Sequence, residues 1–261
     1  MTNVKIGIQT RSLRQPLRQA LQTAARLGAE GVEIDARTEL VPAELSQTGL
    51  RQFRKLLADL RLQVSAVAFP TRRGYDSPDD LERRVLATQA AMRFASELHA
   101  SVVVNQVGRV PASDDDASFA RLVETLTILG TIGDRIGARL AATTAGERPG
   151  DLARLIAALP EGSIGVDLHP RGLIQGGHSP AIALDELGRH VLHVHACDAV
   201  PDLTTGRTNF VELGRGTADM PAVLGRLAAE FDYRGWATIE CGDAPNPAAA
   251  MENAIAYLRA L

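Results

Sequence analysis

The chain has 261 residues, of which 45% are hydrophobic, so it can bury a large core. A net charge of -3, a pI near 6.1 and only 4% aromatic residues argue against a nucleic-acid partner, which usually requires a basic patch or stacking aromatics. No apolar run is long enough to span a membrane, and two cysteines are too few for a disulfide framework. We therefore expect a cytoplasmic protein that acts on a small molecule, with a homo-oligomer left open.

Short apolar runs alternate with longer segments of helical periodicity along the whole chain. We predict eight strands, at residues 4–9, 31–35, 63–69, 101–107, 139–143, 163–167, 191–195 and 236–240. We predict helices at residues 13–27, 42–60, 77–98, 116–136, 151–159, 179–187, 218–231 and 247–261. The dipeptides Ser77-Pro78 and Ser179-Pro180 are typical helix starts. Residues 196–217 are predicted to form a long loop.

This alternation, without a linker or a break in composition, indicates an α/β protein with a parallel sheet in a single domain, residues 1–261. Eight strand–helix units in roughly 250 residues favour a closed (β/α)8 TIM barrel. A doubly wound open sheet is the alternative, but the short runs and the count of eight favour closure. Active sites of such barrels lie at the C-terminal ends of the strands, so the residues that end each run are the site candidates.

Polar side chains end most of the predicted strands. Asp167, His195 and Glu240 end three neighbouring strands, and each can bind a divalent ion, so we predict a site for Mn, Co, Zn or Mg. His193 shares the face of His195 but lies deeper, and we expect it to be structural. The other polar strand ends are Gln9, Glu33 or Asp35, Asn105 or Gln106, Thr143 or Thr144, and His169.

Five short motifs carry a wider pattern. They are GVEID at 31–35, GVDL at 165–168, HVHACD at 193–198, LGRGTAD at 213–219 and YRGWATIE at 233–240. Together and in this order they resemble the xylose-isomerase-like TIM-barrel superfamily of sugar isomerases and epimerases, over essentially the whole chain. The resemblance implies metal-assisted proton transfer next to the carbonyl group of a small polyhydroxylated, sugar-like substrate.

The resemblance also implies four metal ligands, of which this sequence matches three. Asp167 follows the sixth strand, His195 is the second histidine of HVH, and Glu240 follows the eighth strand. The glutamate expected after the fifth strand falls on Thr143. A threonine hydroxyl is a poor ligand for a divalent ion and a poor base near neutral pH, so one of two expected catalytic carboxylates is missing.

Three interpretations of this substitution stay open. Glu147 could replace the missing carboxylate, or His169 could supply a ligand or a base beside Glu240. Alternatively the site has lapsed, and the barrel binds a carbohydrate-like ligand without a metal and without turnover. A metal-dependent phosphodiesterase, similar to the endonuclease branch of the superfamily, is disfavoured by the acidic charge and the missing glutamate. Cys197 is a candidate soft ligand, but not the leading one.

The remaining candidates concern substrate binding. Glu33 is a candidate for binding substrate hydroxyls, with an ion pair to Arg11 or Arg37 as the alternative. The neighbouring amides Asn105-Gln106 could bind a polyol or could serve nearby loops. Arg215 could reach an anionic substrate group or could be a solvated loop residue.

Overall fold

The computed structural model describes residues 4–114, 116–202 and 207–261. Eight parallel strands form a closed barrel surrounded by helices, which confirms the predicted (β/α)8 fold. The barrel strands are β1 Lys5–Gln9, β2 Gly31–Asp35, β3 Gln63–Ala68, β4 Val102–Asn105, β5 Arg139–Thr143, β6 Ile164–Leu168, β7 Val191–Ala196 and β10 Trp236–Ile239. The helices are α1 Leu17–Leu27, α2 Gln47–Asp59, α3 Leu81–Glu97, α4 Ala117–Ile136, α5 Pro149–Ala157, α6 Pro170–Gln175, α7 Pro180–Leu187, α8 Met220–Glu230 and α9 Pro247–Arg259.

The barrel strands are buried on both faces, as expected for parallel strands covered by helices. Outward-facing side chains such as Val166 and Leu168 pack against the helical layer. Inside the barrel, Val102 and Val104 pack with a few small side chains into a separate apolar cluster. Nearer the C-terminal ends of the strands the interior becomes polar, and the candidate site begins there.

Two predicted helix starts are wrong. The helix predicted from Ser77 begins at Leu81 instead, and Asp80 precedes it with a φ of 50° in the left-handed region. The helix predicted from residue 42 is a short 3-10 turn, Pro42–Glu44, followed by α2. Ser46 is the true cap, because its Oγ accepts the backbone N–H of Gly49 at 3.1 Å. Both helices therefore begin about one turn later than predicted.

The first helix also begins later than predicted. A 3-10 turn, Thr10–Leu13, comes first, and Arg14 then adopts a left-handed conformation before Pro16 and α1. The start at Ser179 is correct, since its Oγ caps α7 through the N–H of Ile182. The short helix α6 follows β6 directly and was missed. No helix of the described residues is long and apolar enough to cross a membrane.

The predicted long loop at 196–217 is wrong, because it contains an antiparallel hairpin of β8 Asp198–Asp202 and β9 Arg207–Val211. The Asp198 carboxylate anchors this hairpin. It accepts four backbone N–H groups at 2.9–3.0 Å, from Ala199, Gly214, Gly216 and Ala218. The motifs HVHACD and LGRGTAD therefore meet as one unit, in which the Gly-rich turn wraps a carboxylate of the chain itself.

Two glycines offer a matched test of the packing. A Cβ on Gly31 would lie 2.6 Å from the Trp236 ring, so Gly31→Ala should lower the free energy of unfolding by about 1–3 kcal/mol. A Cβ on Gly225 in α8 meets nothing within 4 Å. Gly225→Ala should raise the free energy of unfolding by about 0.5–1 kcal/mol through helix propensity. Urea denaturation measures both, and equal effects would contradict this packing.

Candidate functional site

The buried centre of the site is the Asp167 carboxylate, which is fully buried. Its Oδ1 accepts the Nδ1 protons of His193 at 2.8 Å and His195 at 2.9 Å. Its Oδ2 accepts the Thr143 hydroxyl at 2.8 Å. Because an ionised carboxylate only accepts, both histidines carry a proton on Nδ1. Asp167 therefore fixes the orientation of the two histidine rings on β7, and it accepts a third hydrogen bond from Thr143 on β5.

The network continues across the barrel through His193. Its Nε2 lies 2.8 Å from Thr238 Oγ1, which in turn lies 3.0 Å from Ser65 Oγ. All these side chains are buried. Both ring nitrogens of His193 are thus occupied by hydrogen bonds, which fits the structural role expected for it.

On the other side of Asp167, His195 faces a second buried acid. His195 Nε2 lies 2.9 Å from Glu33 Oε2, off the direction of a regular hydrogen bond. Glu33 Oε1 accepts the side-chain N–H of Gln9 at 2.9 Å, and Ser12 supports Gln9 at 2.7 Å. Glu33 is therefore held between the centre of the barrel and the β1 strand end.

These contacts set the charges of the three central groups. Burial alone would disfavour the ionised forms, but the histidine charges outweigh it and lower the pKa of Asp167 and of Glu33. Burial likewise opposes protonation of His195, yet the charges of Asp167 and Glu33 raise its pKa well above the ordinary value. An imidazolium therefore lies between two carboxylates at neutral pH.

A second group lies at the barrel mouth. His169 is the N-cap of α6, and its Nδ1 accepts the backbone N–H of Gly172 at 3.2 Å. His169 Nε2 consequently carries the proton and donates to Glu240 Oε2 at 2.7 Å. Burial would raise the pKa of Glu240, but His169, His195 and Arg171 lower it to about 2. Glu240 is thus ionised throughout the neutral range.

Glu240 also lines a cavity of about 520 Å³. The cavity lies between the β8–β9 hairpin, α6 and the segment after β10. Arg171, Thr208 and Phe210 contribute to its wall, and Asp243 and Glu212 lie at exposed positions in its lining. The size suits a small polar ligand, and the ionised Glu240 is available on its surface.

Several predicted site residues lie elsewhere. Glu147 is in the loop after β5; burial raises its pKa, and its charge interacts with Asp151 and His178. Gln106 is exposed beyond β4. Arg215 is exposed in the turn after β9, where its backbone N–H bonds Glu212.

The polar residues that end β2 and β4 contact different partners. Asn105 is buried and serves its neighbours, since it donates to Tyr75 at 2.9 Å and accepts from Thr71 at 3.2 Å. The predicted arginine ion pair forms on Asp35, whose Oδ2 lies 2.6 Å from Arg11 Nη1. Glu33 instead faces His195.

The donor atoms form two groups that could hold a metal among the described residues. One group is Glu33, His193 and His195; the other is His169, Cys197 and Glu240. The ligand atoms within each group lie within 4.8 Å of one another. Of the predicted ligands, His195 belongs to the first group and Glu240 to the second. Asp167 belongs to neither group, and its oxygens accept hydrogen bonds from His193, His195 and Thr143. The nitrogen, sulfur and oxygen donors of the second group suit a borderline ion such as Zn²⁺.

The sequence matches the family model of the xylose isomerase-like TIM barrel over residues 21–261, and the chain belongs to this family. The search of curated proteins finds no match. A xylose isomerase domain protein from Planctomyces limnophilus shares 21% identity and a TM-score of 0.81, covering 99% of this chain and 95% of that one.

Two further solved structures share the fold. A D-tagatose 3-epimerase-like protein is 19% identical, with a TM-score of 0.79 and coverage of 98% of both chains. A xylose isomerase-like TIM barrel protein from Mycobacterium smegmatis, solved in complex with magnesium, is 16% identical. Its TM-score is 0.78, with 99% of this chain and 96% of that chain covered.

Arg171, Thr208 and Phe210 were not found from the sequence. They belong to a short helix and a hairpin in segments where the sequence predicts loops, so no periodicity points to them. The only available signal was the alternation in residues 207–211, which is brief and sits in a segment otherwise rich in turn residues. Thr143 was considered only as a missing ligand, whereas its hydroxyl supports Asp167.

The charge of His195 can be tested by nitrogen-15 NMR of the histidine rings. We expect both nitrogens of His195 to be protonated at neutral pH, whereas His190 should be neutral, because burial and Arg189 lower its pKa. His195→Gln identifies the signal.

The charge of His195 also predicts how stability depends on pH. The unfolded chain releases this proton near pH 6.5, while the folded chain keeps it. The free energy of unfolding should therefore fall as pH rises above that value. A neutral His195 ring would contradict the arrangement.

Proposed function

We propose that the chain is a metal-assisted isomerase or epimerase, which moves a proton at the carbon next to the carbonyl group of a small polyhydroxylated substrate. The observation that carries the proposal is the Glu240 carboxylate. It is ionised, it is held by His169, and it lines a cavity of substrate size at the catalytic end of the barrel. Membership of the family and the epimerase-like protein among its structural neighbours support this choice.

Glu240 is the proposed proton acceptor. His169 occupies Oε2, which leaves Oε1 without a hydrogen bond to any described residue. A carboxylate with a pKa of about 2 is a weak base, so the substrate C–H bond must be strongly acidified before Glu240 can take its proton.

A divalent ion would supply the required activation, since a bound ion polarises the carbonyl and hydroxyl oxygens of the substrate. We place its ligands at His169 Nε2, Cys197 Sγ and the Glu240 carboxylate. Binding would displace the proton between His169 and Glu240, so metal affinity should fall at acidic pH. Asp167 is not among these ligands, because its oxygens accept hydrogen bonds from His193, His195 and Thr143. Its role in the proposal is to orient His195.

The proton-transfer step can be observed without knowledge of the natural substrate. The protein is incubated in D₂O with four- to six-carbon ketoses and each of Mn, Co, Zn and Mg, and deuterium entering the carbon next to the carbonyl is followed by NMR. Glu240→Gln should reduce the exchange rate at least about a hundredfold, the typical effect of removing a general base. Glu252→Gln, an exposed substitution on α9, should leave the rate unchanged.

Undiminished exchange in Glu240→Gln would contradict the assigned role. Absence of exchange with every metal, both with the ketoses and with carbonyl sugars that carry a carboxylate, would favour the alternative, a barrel that binds a carbohydrate-like ligand without turnover. Thr143 supports that alternative, because the position of the expected second carboxylate is taken by a hydroxyl that donates to Asp167.

Metal binding has its own test. Elemental analysis of protein from metal-supplemented cultures should find a divalent ion, and His169→Gln and Glu240→Gln should each lower its content at least tenfold. His99→Asn is the matched control, since His99 is exposed and has a φ of 59°, which asparagine tolerates. Metal-free protein with no thermal shift on adding any of the four ions would overturn the metal part of the proposal.

A further inference from the structure

The cavity beside Glu240 contains two buried polar atoms that the fold leaves without partners. Arg171 Nε and Thr208 Oγ1 are both inaccessible to solvent and form no hydrogen bond with the described residues. Thr208 is only 8% exposed. Both residues line the cavity. Buried polar groups are nearly always paired in folded proteins, so two such atoms in side chains that line one cavity point to a ligand toward which these side chains turn.

The hairpin holds the Arg171 side chain in a defined plane. Arg171 Cζ lies 4.0 Å from the centroid of the Phe210 ring, so the guanidinium stacks on the aromatic face. Phe210 in turn sits against Gly242, whose φ is +51° and where a Cβ would lie 2.3 Å from the ring. Stacking covers one face of the guanidinium, so a ligand that enters the cavity would meet its N–H groups rather than that face.

Charge narrows the class of ligand. Arg171 lowers the pKa of Glu240 through space, but no hydrogen bond joins the two side chains. The other acids in the lining, Glu212 and Asp243, are exposed and therefore screened. One planar cation with an unpaired Nε edge matches one planar anion, because a guanidinium and a carboxylate form two parallel hydrogen bonds.

We propose that Arg171 is a specificity-determining residue that binds a carboxylate group of the substrate, with the Thr208 hydroxyl bonding an adjacent ligand oxygen. This deepens the proposed function and rests on it: the substrate class becomes polyhydroxylated acids rather than neutral sugars. Phe210 and Gly242 position the guanidinium. Arg171 and Glu240 line the same cavity, so a substrate whose carboxylate is bound by Arg171 has its remaining carbon atoms near Glu240.

Matched ligand pairs test the proposal by binding alone. Isothermal calorimetry compares aldonates of four to six carbons with the alditols of the same configuration, which differ only in a terminal carboxylate. D-gluconate and D-sorbitol are one such pair, and D-sorbitol 1-phosphate places a phosphate at the same end of the chain. The wild-type protein should bind at least one aldonate tenfold or more tightly than its alditol and its phosphate analogue. A tenfold ratio corresponds to about 1.4 kcal/mol.

The variants separate the role of Arg171 from general charge. Arg171→Gln should abolish the preference for the aldonate, and Arg171→Lys should lose most of it, because an ammonium cannot form the planar pair. Arg93→Gln, at an exposed arginine on α3 outside the cavity lining, should retain the preference. Melting temperatures confirm that each variant is folded.

The outcomes distinguish this inference from the function itself. If no aldonate is favoured, or if Arg171→Gln keeps the preference, the carboxylate site is wrong, while deuterium exchange on neutral ketoses would still support the enzyme. If the Arg171-dependent preference is found but no exchange occurs with any acid or ketose, the site binds acids and the proposed activity fails. Tightest binding of the phosphate analogue would overturn the carboxylate assignment.

Discussion

The arrangement of the site depends on one buried carboxylate. Asp167 lies in the barrel interior without solvent contact, where an isolated charge would be strongly disfavoured. Two imidazole N–H groups and one hydroxyl compensate for the lost water, and the charge on His195 is balanced again by Glu33. Because removal of Asp167 or Glu33 would leave the buried charge of His195 short of a partner, the group couples strands β2, β6 and β7.

This central network leaves the barrel mouth free for chemistry. Glu240 and His169 lie above it and receive part of their electrostatic environment from His195, which helps to keep Glu240 ionised. The rings of His169 and His195 lie 5.0 Å apart, so the two groups are adjacent. Because the charged side chains below Glu240 are held in place by their hydrogen bonds and ion pairs, they need not reorganise when a ligand enters.

The hairpin between β7 and α8 adds the wall that a bare barrel lacks. Asp198 holds it by accepting backbone N–H groups from both of its sides, which explains why a histidine strand and a Gly-rich turn occur together in the sequence. The hairpin places Phe210 on Arg171 and Thr208 in the cavity. The cavity lining thus combines different elements: Arg171 comes from α6, Thr208 and Phe210 from the hairpin, and Glu240 from the end of β10.

The sequence by itself determined the barrel, its eight strands, and the burial of His193 below His195, because hydrophobic alternation and strand-end polarity are local patterns. It also singled out His169 as a possible ligand or base, whereas its contact with Glu240 is known only from the structure. Which acid meets which histidine was decided only by the tertiary structure, since Glu33, Asp167 and His195 come from strands far apart in the chain. The sequence likewise does not reveal that Thr143 donates to Asp167 or that Arg171 Nε has no partner among the described residues, because both follow from contacts across strands and a hairpin that no local pattern specifies.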